Sequence, residues 1–222
     1  MDPQSSASCA PAQRGWRLRT TIIVVLWLAA IFGGIAAMRG YEFTAGTDPR
    51  APFRWPEASS IPRKACTPTL VVFAHPRCPC TKATLDQLAS ALEKAGASAG
   101  AKVVFFMPRG ADAAWTGSAA IQRASAIPGV SVLMDEGGRE ARMFHAVTSG
   151  RTLLYSEKDE LIFDGGITAS RGHSGENPAA TALVSLLRKS STVHTTAPVF
   201  GCSILQTCAP FDSTSWSTSS HH

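Results

Sequence analysis

An uninterrupted run of uncharged residues limits how this chain can fold. Residues 20–38 have the sequence TTIIVVLWLAAIFGGIAAM, nineteen residues without a charged side chain. As an α-helix rising about 1.5 Å per residue, the run would reach about 28 Å, close to the thickness of a bilayer's hydrocarbon core. Trp16 and Tyr41 stand just outside its ends, where amphipathic rings favour the membrane interface. The run therefore predicts a transmembrane helix or an uncleaved signal anchor, followed by one medium-sized domain. The alternative is a cleaved signal peptide, for which Gly34-Ile35-Ala36 would supply the small residues of a cleavage site.

The distribution of charge argues against nucleic-acid binding. The chain has 222 residues and a formal net charge of +5. Residues 1–64 carry eight basic and four acidic side chains, whereas residues 65–222 carry thirteen and twelve. Because the surplus surrounds the apolar run, the folded region is nearly neutral and offers no broad positive surface for phosphates. We therefore expect no nucleic-acid partner.

The rest of the chain divides around the apolar run at 20–38. Residues 1–19 are expected to form a short cytoplasmic segment. Residues 39–65 contain four prolines and are predicted to be a Pro-rich linker, extended and semi-rigid because proline restricts the backbone. Residues 66–190 are predicted to be the folded domain, and residues 191–222 a Ser/Thr-rich C-terminal tail with little capacity to fold alone.

The domain begins with a strand, two cysteines and a helix. Residues 69–74, TLVVFA, form a short apolar run that is typical of a strand buried on both faces. In the segment 81–94, apolar residues recur at i, i+3, i+4 and i+7 from Leu85, which predicts an amphipathic helix. Residues 102–107, KVVFFM, predict a second buried strand. The opening unit is therefore strand, helix, strand.

The remaining elements predict a mixed sheet covered by helices. Residues 157–160 are all charged and predict a hairpin turn between two strands. Asn177 and Pro178 are typical of the N-cap and first position of a helix. After the opening unit, the sequence predicts a helix at 112–127, a strand at 130–134 and a helix at 138–146. Strands at 152–156 and 161–164 and a helix from 178 onward complete the order. This order predicts an α/β fold.

The pattern resembles the thioredoxin fold over about residues 65–190, because the cysteines stand at a strand-to-helix junction and a hairpin precedes the last helix. Three strings are similar to those of the RedB-like group of membrane-tethered redoxins: FAHPRCPCTKA, TSGRTLLYS and FDGGITASRGHSGEN. The resemblance implies a three-layer thioredoxin-like fold behind an N-terminal transmembrane helix. It also implies a single-pass protein of the bacterial inner membrane, with a periplasmic domain that acts on protein thiols and disulfides.

Cys78 and Cys80 are the candidate reactive residues. Both stand at the first turn of the helix predicted at 81–94, where unpaired N–H groups and the helix dipole favour a thiolate. Arg77 and Lys82 carry positive charge alongside. The sequence thus predicts a thiol-disulfide oxidoreductase in which Cys78 attacks, Cys80 resolves, and Arg77 and Lys82 stabilise the anion. No cofactor is required for this chemistry.

The sequence departs from the usual redoxin pattern in two places. The cysteines form C-x-C instead of C-x-x-C, so a disulfide between Cys78 and Cys80 would close a smaller and more strained ring. Redoxins place a cis-proline before the strand that enters the hairpin, and Arg151 stands at the matching position here. The mode of substrate docking and the shielding of the cysteines from metal are therefore open.

A glycine-rich loop is expected to return to the cysteines. The fifth strand of a thioredoxin-like sheet runs toward the edge that carries them, so the loop after Asp164, GGITASRGHSGE, should lie there. We expect His173 and Arg171 to face the thiols as acid/base or anion-binding groups. The alternative is that this loop is only a flexible connector.

A copper-binding module is the alternative to an oxidoreductase. The thiolates of Cys78 and Cys80 with the imidazole of His173 would suit Cu(I), a soft ion. Such a protein would resemble the Sco-type copper-delivery proteins, although these have C-x-x-x-C and a histidine just before the hairpin strand, where this chain has Val147-Thr148-Ser149. A catalytically inactive redoxin that serves as an adaptor is a further possibility.

The remaining cysteines leave several pairings open. Cys66 precedes the first strand, and a buried structural thiol and a resolving thiol are both compatible with that position. Cys202 and Cys208 could form a disulfide within the tail, or Cys202 could reach back to the active edge. Because several pairings remain compatible with the spacing, the sequence does not determine the disulfides.

Overall fold

A computed structural model of the protein describes residues 12–64, 66–96, 100–191 and 193–205. The chain consists of two compact units that divide after Phe43. The first unit contains one helix, α1 (Ala12–Glu42), which extends the predicted apolar segment at both ends. Its part from Trp16 to Glu42 is long and apolar enough to cross a membrane.

The second unit is built around a six-stranded mixed sheet with the order β3-β2-β1-β4-β5-β6. β1, β2 and β3 are mutually parallel, β4 is antiparallel to both β1 and β5, and β6 is parallel to β5. β5 therefore runs toward the same edge as β1, as the sequence predicted. The strands are β1 (Thr69–Ala74), β2 (Gly100–Met107), β3 (Val130–Glu136), β4 (Arg151–Tyr155), β5 (Leu161–Gly165) and β6 (Thr195–Thr196).

The helices follow the predicted order with two differences. The segment predicted at 112–127 forms two short helices, because Ser118 interrupts the run and caps the second one by accepting the Ile121 N–H. The helix predicted at 138–146 is shorter than expected. The helices of this unit are α2 (Thr81–Ala95), α3 (Ala113–Thr116), α4 (Ala119–Ser125), α5 (Arg139–Met143) and α6 (Pro178–Leu187).

The ends of the two longer helices have local causes. α2 ends at Gly96, whose φ of 59° is the left-handed conformation that glycine adopts at low cost. α6 begins at Asn177, whose side-chain oxygen accepts the Ala180 N–H at 2.9 Å, with Pro178 directly after it. These are the cap and first helical residue that the sequence predicted.

Alternate residues of each strand bury opposite faces of the sheet, which gives three layers. On one face Val72 packs with Leu88 of α2 and Leu183 of α6. On the other face Val71 and Phe73 pack with residues outside these helices. This alternation is the period of two that a strand buried on both faces requires.

The segment predicted as a linker forms part of the folded unit. Trp55 is 6% exposed, and its ring centroid lies 5.0 Å from that of Phe144 and 5.1 Å from that of Tyr155. Ile61 is buried in the same cluster. Residues 44–64 are here called the N-terminal strap. The strap covers the face of the sheet that also carries α5 and helps to bury these rings. The prediction of a stalk over 39–65 is corrected accordingly, and residues 39–42 belong to α1.

The beginning of the predicted tail also packs on the domain. β6 extends the sheet beside β5, and Val199, Phe200 and Ile204 are buried. Residues 193–205 are here called the C-terminal strap. They contain the apolar side chains that the Ser/Thr-rich composition of the tail obscured. Cys9 and Cys208 lie outside the described residues.

Candidate active site

Cys78 and Cys80 lie in the turn that joins β1 to α2. The Cys78 N–H donates to the carbonyl of His75 at 3.1 Å, and the Thr81 N–H donates to the carbonyl of Cys78 at 3.1 Å. The two cysteines are only 5% and 8% exposed. The structure thus places both thiols at the carboxyl edge of β1 and at the start of α2, the positions expected from the sequence.

A third cysteine lies against Cys78. The Sγ atom of Cys202, in the C-terminal strap, is 3.0 Å from the Sγ atom of Cys78. The Ser149 N–H donates to the carbonyl of Cys202 at 2.8 Å, and the Ile204 N–H donates to the carbonyl of Val147 at 2.8 Å. The strap therefore pairs with the segment that leads into β4 and brings Cys202 to the other two thiols. Of the two placements left open by the sequence, the structure shows the one in which Cys202 reaches back.

Ser149 connects the segment before β4 to the turn that carries the cysteines. Its hydroxyl oxygen accepts the His75 N–H at 2.9 Å and lies 3.1 Å from the hydroxyl oxygen of Thr81. Ser149 also hydrogen-bonds to Cys78. Nothing in the local sequence around Ser149 shows which turn it faces, so this residue could not be predicted as part of the site.

Hydrogen bonding makes Cys78 the acidic thiol of the three. A hydrogen bond from the Cys202 thiol lowers the pKa of Cys78 to about 5, with smaller contributions from backbone N–H groups and Ser149, although burial acts in the opposite direction. Burial raises the pKa of Cys80. The interaction with Cys78 raises the pKa of Cys202. At neutral pH the thiolate therefore lies on Cys78, with a protonated thiol on either side.

His75 lies beneath the turn as a neutral side chain. Its Nδ1 accepts the Arg77 N–H at 3.2 Å, its ring stacks on Phe106 with centroids 5.8 Å apart, and its edge meets Trp115. Burial lowers the pKa of His75. Its Nε2 has no hydrogen-bond partner among the described residues. The residue supports the turn by packing.

Arg77 and Lys82 line a cavity beside Cys78. The cavity has a volume of about 300 Å³, and Arg123 and Pro79 also line it. The guanidinium of Arg77 lies 3.9 Å from the centroid of the Trp115 ring, a favourable position for a cation. The hydrogen bonds that lower the pKa of Cys78 come from Cys202, Cys80 and Ser149, and Arg77 and Lys82 place positive charge along the cavity.

The glycine-rich loop brings one of its two predicted residues to the site. A guanidinium nitrogen of Arg171 donates to the carbonyl of Gly201, and its charge offsets part of the rise in the pKa of Cys80 and Cys202. His173 is exposed, and its Nδ1 lies 2.8 Å from the carbonyl oxygen of Arg171 and 3.0 Å from the hydroxyl of Ser170. The expectation that His173 faces the thiols is therefore corrected, because its ring is held within its own loop.

The predicted Cu(I) ligand set is not assembled in the part of the chain that the structure describes. Within that part no group of three or more His, Cys, Asp or Glu side chains is arranged to hold a metal ion. His173 does not join Cys78 and Cys80, for the reason given above. Cys66 is exposed.

Arg151 is a structural residue at the start of β4. It is 2% exposed, and its guanidinium forms hydrogen bonds of 2.8 to 2.9 Å with both carboxylate oxygens of Asp164. The same guanidinium lies 3.3 Å from a carboxylate oxygen of Asp48 in the N-terminal strap. The position where redoxins carry proline therefore holds the ionic link between this strap and the hairpin.

Several solved structures are similar to this chain. No family model matches the chain, and no curated protein matches it. A hypothetical protein from Sinorhizobium meliloti 1021 matches with a TM-score of 0.50 at 23% identity, over 65% of this chain and 82% of that one. An uncharacterized conserved protein from Geobacillus kaustophilus matches with a TM-score of 0.52 at 16% identity, over 76% and 96%. A secreted Mycobacterium tuberculosis disulfide oxidoreductase matches with a TM-score of 0.40 at 15% identity, over 55% and 84%.

The connection of the elements decides the fold. β1, α2 and β2 form a parallel unit, β4 and β5 form the antiparallel hairpin, α6 follows them, and these four strands have the order β2-β1-β4-β5. The chain has the thioredoxin fold. Within the thioredoxin fold of this protein, β3 and β6 are added at the two edges of the sheet. At these sequence identities the likeness establishes the fold alone.

Proposed function

We propose that this protein is a membrane-anchored thiol-disulfide oxidoreductase whose attacking group is the Cys78 thiolate. The observation that supports it best is the contact of 3.0 Å between the sulfurs of Cys78 and Cys202 at the start of α2. A thiolate stabilised in this way is the nucleophile of disulfide exchange.

The reaction requires two successive exchanges. The Cys78 thiolate attacks one sulfur of a substrate disulfide, forms a mixed disulfide and releases the other substrate sulfur as a thiolate. A second thiol of the protein then attacks Cys78, forms an intramolecular disulfide and releases the first substrate sulfur. Two electrons pass from the protein dithiol to the substrate. On the sequence pattern alone the second thiol is Cys80.

The same proposal includes a periplasmic location at the bacterial inner membrane. α1 supplies one helix long enough for a single span. Arg14, Arg17 and Arg19 precede the apolar run and Arg39, Arg50 and Arg54 follow it, so these basic residues are equal in number on the two sides. The first trio is denser and its segment is short, which favours a cytoplasmic N-terminus and an external domain. The compartment outside the inner membrane is oxidising, so protein thiols and disulfides are the expected partners, and the reaction needs no cofactor.

The proposal is tested by reduction of a protein disulfide with the full chain in detergent. The wild type should reduce insulin or reactivate a scrambled disulfide protein, Cys78→Ser should have no activity, and Cys66→Ser should keep it because Cys66 is exposed and precedes β1, whereas the turn follows β1. Absence of turnover by the wild type, or full turnover by Cys78→Ser, would overturn the proposal.

Cu(I) binding is the second candidate function. It is favoured by the contact between the sulfurs of Cys78 and Cys202, since two thiolates are soft ligands that suit Cu(I). The reduced full chain should then bind Cu(I) stoichiometrically and lose it in Cys78→Ser, with His173→Ala unchanged because His173 is held in its loop. No stoichiometric binding by the wild type would remove this candidate.

A further inference from the structure

We infer that Cys202, and not Cys80, is the thiol that resolves the mixed disulfide on Cys78, so that the C-terminal strap is part of the active site. This inference rests on the proposed function and names the second thiol of that reaction. It changes the redox pair from two neighbours in sequence to two residues separated by 124 positions.

The distance between the sulfurs is the first argument. The Sγ atoms of Cys78 and Cys202 are 3.0 Å apart, and a disulfide bond requires about 2.05 Å, so the two sulfurs need to approach by only about 1 Å. The side chains of Cys78 and Cys202 are already in contact. The bond can form without moving either element as a whole.

The backbone around Cys202 is the second argument, because it is held on both sides of the thiol. The Ser149 N–H binds the carbonyl of Cys202, the Ile204 N–H binds the carbonyl of Val147, and Ser203 bridges to Thr148 between them. Ile204 is fully buried. Cys202 is therefore presented to Cys78 by an anchored, strand-like segment.

The backbone of the turn is the third argument, because it disfavours closure of the Cys78–Cys80 pair. Cys80 has the helical angles φ −71° and ψ −20°, and its carbonyl accepts the Thr84 N–H at 3.2 Å. The Cys80 thiol also hydrogen-bonds to Cys78, but a disulfide across one intervening residue closes a small and strained ring. Closing it would distort the first turn of α2, whereas a bond to Cys202 lies outside that turn.

The cavity beside Cys78 provides a separate approach for substrate. Cys78 lines this cavity with Arg77, Lys82 and Arg123, and Cys202 is not among its lining residues. The cavity therefore offers a substrate disulfide an approach on a side of Cys78 that Cys202 does not line. The positive charge around the cavity favours a substrate segment that carries acidic residues.

The resolving step is a thiol-disulfide exchange within the protein. The Cys202 thiol loses its proton and attacks the Cys78 sulfur of the mixed disulfide, and the bond between Cys78 and the substrate breaks. The substrate sulfur leaves as a thiolate and takes up a proton, while the Cys78–Cys202 disulfide forms. A dithiol reductant, itself oxidised to a disulfide, returns the pair to the reduced state.

Disulfide mapping tests the pairing directly. The full chain with all its cysteines is oxidised with a mild disulfide reagent, digested without reduction and analysed by mass spectrometry. We expect a peptide that joins Cys78 to Cys202. A predominant bond from Cys78 to Cys80, or to Cys208, would overturn the inference. This result does not depend on turnover, so it is separate from the test of the proposed function.

Trapping with matched variants tests the role in the reaction. The Cys202→Ser and Cys80→Ser chains are each mixed with a disulfide-linked peptide. Cys202→Ser should accumulate about one equivalent of the mixed disulfide on Cys78, because the resolving thiol is absent, whereas Cys80→Ser should release the peptide like the wild type. Trapping in Cys80→Ser with release in Cys202→Ser would overturn the inference while leaving the proposed function intact. Thermal unfolding of both variants, with Cys202→Ala as a second substitution, checks that the fold is kept.

Discussion

At the scale of single residues, hydrogen bonds lower the pKa of Cys78. The sequence located Cys78 because a strand followed by an amphipathic helix fixes a helix N-terminus, which is a local pattern. It attributed the acidity to the helix N-terminus, with the charges of Arg77 and Lys82 alongside. Backbone N–H groups do contribute, but the largest cause is the thiol of Cys202, and the hydroxyl of Ser149 adds to it. Both of these groups arrive through contacts between distant segments that no local pattern shows.

The first prediction concerns the acidity of Cys78. In the reduced wild type, the rate of alkylation of Cys78 should rise with pH around an inflection near 5 and then level off, because its pKa is about 5. Cys202→Ala removes the largest cause of that acidity, so the inflection should move up toward that of an ordinary thiol. The measurement is the rate of modification of the Cys78 peptide against pH.

Cys66→Ala is the control for this measurement, because Cys66 is exposed and should not affect the inflection. An unchanged inflection in Cys202→Ala would show that the acidity of Cys78 has another origin.

The second prediction follows from the same thiol through the stability of the reduced protein. The pKa of Cys78 is lowered from 9.0 to about 5. A group with a lowered folded pKa contributes stability that is complete above its unfolded pKa and lost as the pH falls through its folded pKa. The free energy of unfolding of the reduced protein should therefore decrease as the pH falls from about 9 to about 5.

His75 acts in the same direction below its ordinary value of 6.5, since burial lowers its pKa. Denaturant unfolding of wild type and Cys78→Ala at each pH separates the two contributions, because only the wild type contains the Cys78 contribution. The oxidised wild type is a second control, because a disulfide sulfur does not titrate. Equal pH dependence in reduced wild type and Cys78→Ala would contradict the assignment.

At the scale of elements, the two straps are the parts that the sequence did not predict. Neither has a helical or strand period, and the prolines of 39–65 indicated only an extended backbone. What fixes the straps is contact with distant elements, such as Trp55 against Phe144 and Tyr155, or the C-terminal strap against Ser149. An apolar cluster such as Val199-Phe200 in a polar tail was the available signal.

The third prediction tests the close approach of the C-terminal strap. A Cβ atom on Gly201 would lie 1.9 Å from the carbonyl oxygen of Ser149, and this backbone oxygen cannot move cheaply. Gly201→Ala should destabilise the protein by about 1–3 kcal/mol, the usual range for overpacking. It should also slow formation of the Cys78–Cys202 disulfide, because Cys202 is the next residue.

Gly100→Ala is the matched control, since an added Cβ there meets no atom within 4 Å. Urea unfolding and the rate of oxidation of both variants provide the measurements. A Gly201→Ala chain that is as stable and as quickly oxidised as Gly100→Ala would contradict the described approach of the strap.

The fourth prediction concerns the ionic anchor of the N-terminal strap. One carboxylate oxygen of Asp48 accepts the N–H groups of Val147 and Thr148 at 2.9 Å each and lies 3.3 Å from the guanidinium of Arg151. Asp48→Asn removes a buried charge partner of Arg151, which still has Asp164. We expect a loss of about 2–4 kcal/mol in the free energy of unfolding, toward the lower end of the cost of breaking a buried pair.

Asp159→Asn provides the comparison, because Asp159 forms a partly exposed ion pair with Arg63. Such pairs contribute about 0–1 kcal/mol. Urea unfolding of the two variants should therefore separate them clearly, and equal losses would show that Asp48 does not anchor the strap.

At the scale of the whole molecule, the thioredoxin fold followed from the order of elements. The strand, helix, strand unit, the hairpin and the last helix were predictable because each has its own period and its own turn or cap residues. The short β6 was not predictable, since its two residues, Thr195 and Thr196, have no pattern of their own. They pair only because the C-terminal strap lies beside β5. The site divides in the same way. The positions of Cys78 and Cys80 could be predicted from local sequence, whereas those of Cys202 and Ser149 depend on the completed fold.

The last prediction treats the chain as an anchor and a domain. Since the compact units divide after Phe43 and the sheet contains its own core on both faces, residues 44–222 should remain folded and keep the disulfide chemistry without residues 1–43. The full chain should sediment with membranes and resist alkaline extraction, whereas the shortened chain should stay in the soluble fraction.

Ile31→Arg in the full chain places a charge near the centre of the apolar run, at a cost of about 2.5–3.5 kcal/mol for insertion. This substitution should weaken membrane retention without changing the activity measured in detergent. A full chain that is extracted by alkali, or a shortened chain that unfolds, would show that α1 serves the domain in some way other than as a separable anchor.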